Sequence, residues 1–274
     1  MRWLQVLRTF FSQAAELKSA REIGLMREAG KIVAEAHRLC RDMCKPGTRT
    51  IDIDRAVEAL YAKYGATPLF KGYAGPNPKH PFPASTCISL NEQIVHGIPS
   101  NREIREGDIV KIDTACKLNG WCADAAASIP VGVVRPERQR LIDTGHQLLK
   151  IAMEELPKRR WWSEIAGIME KTAKQAGYTV VEQYVGHGIG RIMHENPQVP
   201  NFVVRGYKEL RKVDFRLEPG LVLAVEPMVN MGTNETRTLA DQWTVVTKDG
   251  LPSVHVEHTL ALTANGIIVI TADA

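Results

Sequence analysis

Several acidic residues and histidines of the sequence stand where such side chains are unusual, in apolar strands or glycine-rich turns. Carboxylate oxygens and imidazole nitrogens bind divalent metal ions, and the same groups transfer protons in hydrolytic reactions. Such a set suggests metal-dependent or acid–base chemistry if the fold brings its members together. The candidates are Asp113, Asp124, Glu226 and Glu257 among the acids, and His96, His187 and His194 among the histidines.

Two of the acids fall in a predicted β-hairpin. Residues 108–116 alternate between apolar and polar as a half-buried strand does, and an Asn-Gly pair follows at 119–120. This pair is the strongest short-range signal for a hairpin turn. With it as the turn, Asp113 faces Ala126, and Asp124 lies on the same face as a diagonal neighbour of Asp113, with backbones about 7–8 Å apart.

Two carboxylates at this spacing can converge on one point. Left alone they would repel, and one would stay protonated, whereas a bound cation would remove the conflict. The alternative is that Asp113 and Asp124 lie on a solvated face. Their neighbours Ala115, Cys122 and Ala125–Ala127 are small and apolar, which is unlike a solvated surface. From the hairpin alone, two interpretations stay open: a metal-binding or catalytic pair, and a pair of solvated acids.

The other two acids also lie in predicted strands. Glu226 ends the apolar run Leu221–Val225, where an ionised carboxylate costs several kcal/mol unless it is paired or bound to metal. Glu257 alternates with the aliphatic residues of segment 254–262. Taken by itself, Glu257 is therefore interpreted as an exposed strand residue.

The histidines stand beside turn residues. His187 lies within Gly186–Gly190, where it could be a ligand or a structural hydrogen bonder; no Lys-Ser/Thr pair or dinucleotide-binding pattern supports a phosphate loop. His96 in Asn91–Pro99 and His194 in His194–Pro197 are each weak evidence of function when taken alone.

Two helices followed by strands occur twice along the chain. The first helix begins with the capping box Ser19–Glu22, and Gly177 ends the last. The pattern favours one α+β domain of two similar halves over two independent domains. The predicted helices run from Ser19 to a stop at Lys45-Pro46-Gly47, and over about 52–64, 136–155 and 163–176.

Composition excludes several classes of protein. The chain has 274 residues, 44% of them hydrophobic, and a net charge of +4, which is unlike a disordered or polyanion-wrapping protein. It has no run of about 18 apolar residues that would span a membrane. The five cysteines form neither a zinc ribbon nor a disulfide framework, so we expect a reducing compartment. The N-terminal residues do not have the pattern of a secretory signal. They are interpreted either as a transit-like arm or as an ordinary amphipathic extension.

Together these segments resemble the methionine aminopeptidases, in particular the shorter type I form. The likeness extends from about Lys18 to the C-terminus, which implies an N-terminal extension at residues 1–17 and a single catalytic metallopeptidase domain at residues 18–274. The matching stretches are Asn91–Pro99, Val110–Thr114 with Asp124, Gly186–Asn201, Glu218–Met228 and Glu257–Thr259.

The resemblance implies a pita-bread α+β fold of antiparallel sheets covered by helices, with internal pseudo-twofold symmetry. It also implies five ligands for two divalent metal ions, with Co²⁺, Mn²⁺, Fe²⁺ or Zn²⁺ as candidates. Asp124 and Glu257 would bridge both ions, Asp113 would hold one, and His187 with Glu226 would hold the other.

The implied reaction is removal of the initiator methionine from new polypeptides when the second residue is small. A hydroxide bridging two divalent metals would be the nucleophile. His194 would donate to the scissile carbonyl, His96 would contact the next amide nitrogen, and Glu226 would shuttle a proton.

The resemblance places the methionine side chain among Tyr73, Phe82, Cys87 and Trp243. The chain departs from the family pattern at two places. Gly75–His80 is an insertion within this loop, and Ala125–Ala127 stands where the family has hydroxyl residues, which would remove hydrogen bonds that orient the bridging carboxylate.

We therefore expect a cytoplasmic, monomeric enzyme that acts on nascent polypeptide N-termini, without membrane association. A proline-directed aminopeptidase or dipeptidase of the same fold is one alternative. A catalytically silent protein bound to ribosomes or RNA is another, although all five ligand positions are intact. The basic stretches Lys158–Arg160 and Lys208–Lys212 could contact ribosomal RNA or be solvated faces.

Overall fold

The structure is a computed structural model that describes residues 15–75 and 77–272. Most of the predicted N-terminal extension, and Pro76 of the predicted insertion, lie outside the described residues. The described chain forms the helices α1 (Ala20–Met43), α2 (Thr50–Lys63), α3 (Pro136–Glu155), α4 (Trp162–Gln175) and α5 (Tyr207–Val213). Its strands are β1 (Thr67–Pro68), β2 (Cys87–Leu90), β3 (Gln93–Val95), β4 (Ile109–Leu118), β5 (Trp121–Pro130), β6 (Thr179–Val180), β7 (Gly186–Gly188), β8 (Glu195–Val199), β9 (Val222–Val225), β10 (Met228–Asn230), β11 (Thr236–Thr238), β12 (Val245–Thr247), β13 (Ser253–His255), β14 (Glu257–Thr263) and β15 (Gly266–Val269).

Local signals set the helix ends as predicted. The Ser19 hydroxyl accepts a hydrogen bond from the Glu22 amide at 3.3 Å, and the Glu22 carboxylate accepts one from the Ser19 amide at 2.9 Å. This capping box satisfies donors that the first helical turn leaves free. Gly177, with φ +86°, follows α4 in the left-handed conformation that glycine adopts without a steric penalty.

A nine-stranded sheet joins the two halves of the chain. The order along its main path is β1-β4-β5-β14-β9-β7-β8, with β2 also paired to β4 and β15 to β14. The hairpin β4–β5 comes from the first half, and the antiparallel pair β9–β14 comes from the second half. Strands β5 and β14 pair where the halves meet, so the two halves build one sheet, as the α+β prediction requires.

The predicted hairpin register is confirmed. Asp113 pairs with Ala126, and Ala115 pairs with Asp124. Ile112 and Ala125, one residue away from the two acids, belong to the buried apolar cluster that α1 also contributes to. Because side chains alternate along a strand, both acids lie on the face of the hairpin that turns away from α1.

The second half has its own apolar core. Helices α3 and α4 contribute Leu148 and Ile165 to a buried cluster that includes Leu223 of β9 and Leu260 of β14. Within the described ranges, none of the helices is long and apolar enough to cross a membrane.

Candidate metal centre

Three polar side chains from three strands of the large sheet meet in its interior. Asp124 is 3% exposed, Glu257 is 2% exposed and His187 is 8% exposed. One potential ligand atom from each of the three lies within 4.8 Å of those of the other two. A carboxylate–imidazole group this compact and this buried has the donor atoms of a divalent metal site.

Strand register brings these side chains together. Ala126 of β5 pairs with Asp113 on one side and with Glu257 on the other, so two acids flank an alanine in neighbouring strands. Asp124 lies two residues along β5 on the same face. The small Ala126 side chain therefore leaves space between three carboxyl groups.

The second half supplies the histidine in the same way. His187 of β7 pairs with Ala224 of β9, and Glu226 follows Ala224 by two residues. An oxygen of Glu226 lies 3.8 Å from His187 Nε2. An alanine again separates the polar groups, and Asp113 and Glu226 stand beside the three-residue group with partial solvent access.

Burial and crowding change the protonation of the four acids. Burial raises the pKa of Asp124 to about 7. Burial, and then repulsion from neighbouring carboxylates, raises the pKa of Asp113, Glu226 and Glu257 well above the ordinary value. The Asp113 and Asp124 carboxyl groups lie close enough to share a hydrogen bond. The repulsion between carboxylates that the hairpin predicted is therefore present in the structure.

The site fits a divalent cation. Asp113 Oδ1, Asp124 Oδ1 and Glu257 Oε1 are buried and have no hydrogen-bond partner among the described residues, although buried polar atoms almost always have one. Two dications would neutralise four carboxylates and supply the missing partner of each oxygen. These orphaned oxygens support the predicted ligands more directly than the residue types alone.

Glu257 corrects one interpretation from the sequence. Considered by itself it was expected to be an exposed strand residue, and this is wrong because it is buried. Strand β14 is internal, with β5 and β9 as neighbours. Alternation along β14 placed Glu257 opposite the aliphatic residues, but on that side it meets Asp124 and His187, both buried, instead of solvent.

His187 is neutral and held in one tautomer. Burial, and then neighbouring His194, lowers the pKa of His187 to about 3. His187 Nδ1 lies 2.8 Å from the Gly188 carbonyl oxygen, so Nδ1 carries the proton and donates it to that oxygen. The lone pair of Nε2 is then free for a metal.

The other two predicted histidines flank the same space. The His194 ring lies 4.4 Å from that of His187 and is perpendicular to it, and Tyr73 Oη lies 3.0 Å from His194 Nδ1. His96, with φ +58°, packs edge-on against Tyr184 and Trp243. Burial lowers the pKa of both His96 and His194 to about 4, so both are neutral at pH 7.

Three of the four predicted pocket residues share one apolar cluster. The Phe82 and Trp243 rings are 5.2 Å apart, and buried Cys87 belongs to the same cluster. Tyr73 is 40% exposed and packs against His194 at the rim. In the predicted insertion, the His80 carbonyl accepts a hydrogen bond from the Trp243 indole at 2.9 Å, so that segment fixes one wall of the cluster.

His255 is a polar group at the site that the sequence interpretation overlooked. It is 2% exposed, and its Nε2 lies 3.4 Å from a Glu226 oxygen. The signal was available, because His255 precedes Glu257 by two residues in an alternating segment and so shares its side of the chain. Phe70 and Met193 also belong to the apolar cluster, and no local sequence pattern indicated that they would.

The hydroxyl groups expected after Asp124 are replaced by one from another strand. The Thr259 hydroxyl accepts from the Asp124 amide at 3.1 Å and donates to the Asp124 carbonyl at 2.8 Å. The main chain of Asp124 is therefore held despite Ala125–Ala127. Ser128 Oγ donates to the His255 carbonyl at 2.8 Å.

The fold and this centre are those of a metallopeptidase: residues 24–264 match metallopeptidase family M24. Methionine aminopeptidase 1 of Bacillus subtilis is 42% identical over 254 residues, which cover 93% of this chain and 98% of that protein. The methionine aminopeptidase of Aquifex aeolicus is 39% identical over 94% of this chain and 99% of its own length.

Comparison with solved structures supports the same family. The crystal structure of methionine aminopeptidase from Thermotoga maritima superposes with a TM-score of 0.86 at 34% identity, covering 95% of this chain and all of that one. Prolidase from Pyrococcus furiosus has a TM-score of 0.71 at 21% identity over 94% of this chain and 66% of that one, which shows a shared fold alone. The chain belongs to the methionine aminopeptidases of family M24, and the expected pita-bread α+β fold is confirmed.

Proposed function

We propose that the protein removes the N-terminal initiator methionine from new polypeptides when the second residue is small. The observation that carries the proposal is the position of the apolar cluster beside the acidic centre. Cys87 of the cluster pairs across strands with Asp113, and Ala115 of the cluster pairs with Asp124. A side chain bound in the cluster would therefore have its own amine and carbonyl next to the acids and histidines.

The cluster suits methionine. Three aromatic side chains (Phe70, Phe82 and Trp243) and a thiol belong to it, and Met193 adds a second sulfur. An unbranched, polarisable thioether makes favourable contacts with such groups. We assign Phe82, Cys87 and Trp243 to the methionine side chain, and Tyr73 to the rim of the pocket.

We assign Asp113, Asp124, His187, Glu226 and Glu257 as the residues that would hold two divalent ions. Four carboxylates and one imidazole suit Mn²⁺, Fe²⁺, Co²⁺ or Zn²⁺. When bound, such ions lower the pKa of water into the neutral range and polarise a carbonyl group. The three unpartnered oxygens support this ligand set.

His194 is proposed to donate a hydrogen bond to the scissile carbonyl. Because the ring is neutral at pH 7, one of its nitrogens must carry the proton. The Tyr73 hydroxyl can donate to Nδ1, which leaves the proton on Nε2. A neutral donor fixed in this tautomer stabilises the negative charge that develops on the carbonyl oxygen.

His96 and Glu226 are assigned to the remaining steps. His96 is neutral and held between Tyr184 and Trp243, so its ring can contact the amide nitrogen that follows the scissile carbonyl. The two carboxyl oxygens of Glu226 face different groups, one 3.8 Å from His187 Nε2 and the other 3.4 Å from His255 Nε2. One oxygen can therefore bind a metal while the other accepts a proton, as a proton shuttle must.

Residues 18–274 are proposed to act as one catalytic domain, supported by the sheet that both halves share. We further propose a cytoplasmic monomer that meets its substrates as they emerge from the ribosome; the five buried, free thiols are in keeping with a reducing compartment. An RNA contact at Lys158–Arg160 is less well supported, because Lys158 and Arg159 both pair with Glu155.

The test is release of free methionine from the peptide Met-Ala-Ser by metal-stripped protein titrated with Mn²⁺, Fe²⁺ and Co²⁺. Activity that depends on added metal is expected, with no cleavage of Xaa-Pro peptides. Cleavage of Xaa-Pro peptides but not Met-Ala-Ser would indicate a proline-directed enzyme, and inactivity with every metal would favour a silent binding protein. Glu257→Gln should abolish both metal binding and turnover, whereas the surface control Glu235→Gln should alter neither.

A further inference from the structure

Lys111 is a lysine with a fully buried side chain that makes no ion pair with a carboxylate of the described residues. It lies on β4, two residues before Asp113 and on the same face, and is 1% exposed. Its ammonium group donates to two main-chain carbonyl oxygens, that of Asn91 at 2.6 Å and that of Ser253 at 2.9 Å. A lysine amino group is expensive to bury whether it keeps its charge or loses its proton, so its retention here calls for a physical reason.

The two carbonyls belong to segments that are far apart in the chain. The Asn91 oxygen also accepts the Ser253 amide at 3.0 Å, so Lys111 strengthens an existing junction between them. Asn91 is itself in a strained conformation, with φ +51°. Its side chain is held by the Ile109 amide at 3.1 Å and by Arg138 at 2.8 Å.

Each segment leads directly to residues of the proposed site. The Asn91 segment continues through β3 to His96, and the Ser253 segment forms β13, which ends at His255 and continues to Glu257. Lys111 thus ties the main chain that carries His96 to the main chain that carries His255 and Glu257. It holds both against β4, the strand that carries Asp113.

An apolar side chain of similar length could fill the same volume but could not satisfy the two oxygens. A shorter polar side chain on β4 would not reach them. Lysine combines the required reach with several N–H donors. A role in positioning therefore explains both the residue type and the cost of burying it.

We propose that Lys111 is a positioning residue for the reaction: its ammonium group fixes the relative placement of His96 and of the His255–Glu257 segment. This inference rests on the proposed function. It does not require Lys111 to touch the substrate or a metal.

The experiment compares Lys111→Met and Lys111→Ala with Lys117→Met and Lys117→Ala. Lys117 lies on the same strand and the same face but is not fully buried, which makes it a matched control. For Lys111→Met we expect a fall in kcat on Met-Ala-Ser on the order of tenfold or more, since small displacements of catalytic groups have effects of this size. We expect KM and metal content close to those of the unaltered protein.

Two further measurements separate positioning from general stability. Amide hydrogen exchange over 91–97 and 253–257 should be faster in Lys111→Met than in the unaltered protein, with exchange in α3 unchanged. Methylammonium, a small cation with the same donors, should restore kcat in Lys111→Ala, where space is available, but not in Lys111→Met, where the side chain fills that space.

The proposal is overturned if Lys111→Met keeps the unaltered kcat, if the Lys117 variants lose as much activity, or if exchange in the two segments does not change. If Lys111→Ala fails to fold, Lys111→Met and its exchange pattern decide the matter alone. If the unaltered protein releases no methionine, the proposed function fails, while the exchange comparison still tests whether Lys111 holds the two segments together.

Discussion

Loading the metal-free protein with Mn²⁺ should release protons, and the affinity should therefore rise with pH. In the absence of metal, burial and mutual repulsion keep protons on the carboxyl groups of the centre. A metal ion binds the ionised form, so each ligand must first lose its proton. His187 contributes none, because its pKa is lowered to about 3 and it is neutral throughout the neutral range.

The size of the pH effect on metal affinity depends on how many protons the metal displaces from its ligands. With a pKa of about 7, Asp124 is mostly protonated at pH 6 and about half ionised at pH 7. Burial and mutual repulsion raise the pKa values of Asp113, Glu226 and Glu257 well above the ordinary value, so these groups also resist ionisation. For each fully displaced proton the binding constant rises about tenfold, or about 1.4 kcal/mol, per pH unit. For a ligand with a pKa of about 7, the gain between about pH 6.0 and 7.5 is roughly eightfold, because the ligand is already partly ionised at the upper end of this range.

Isothermal titration calorimetry at each pH, repeated in two buffers with different ionisation enthalpies, measures both the affinity and the number of protons released. Asp113→Asn provides the control, because it removes one titrating carboxyl group and should reduce the proton count at saturating metal. An affinity independent of pH, with no proton release, would mean that the carboxylates are already ionised and would refute the protonation argument.

Five substitutions test the remaining site assignments and the packing of the fold. His96→Ala and His194→Ala should each lower kcat by about a hundredfold, the effect of losing one positioned donor, with metal content by atomic emission unchanged; metal loss would contradict their roles. Asp124→Asn should lose both metal and activity, and an active, metal-free variant would exclude it as a ligand. Thr259→Val removes the hydroxyl that holds the Asp124 main chain and should weaken Mn²⁺ binding about tenfold or more; a dissociation constant within about twofold of the original would show that Thr259 is dispensable. Gly30→Ala would place a Cβ 2.0 Å from a main-chain oxygen of the C-terminal segment and should destabilise the fold by about 1–3 kcal/mol in urea unfolding, whereas an unchanged midpoint would show that this segment shifts freely.

The features that the sequence predicted well depend on neighbours in the chain. Helix α3 covers the predicted 136–155, and the other predicted helices begin or end within about two residues of the observed bounds. The Asn-Gly turn determined the hairpin register, because a two-residue turn leaves one way to pair the strands around it. That register placed Asp113 and Asp124 on one face.

Other features depend on contacts between distant segments. Burial of Glu257 requires β5 and β9 on either side of β14, and these strands come from different halves of the chain. The hydroxyl that supports Asp124 comes from Thr259 rather than from the residues after Asp124. The sequence patterns around His255 and Lys111 did not indicate which groups those side chains would contact.

The sequence by itself determined the family resemblance, the helices, the hairpin and the candidate ligands, because each of these is encoded in residue types at short spacing. The tertiary structure decided which of those groups share one buried space, which oxygens lack a partner, and which lysine joins two site segments. These outcomes depend on strand order and on the exclusion of water between strands. No local pattern along the chain specifies either of them.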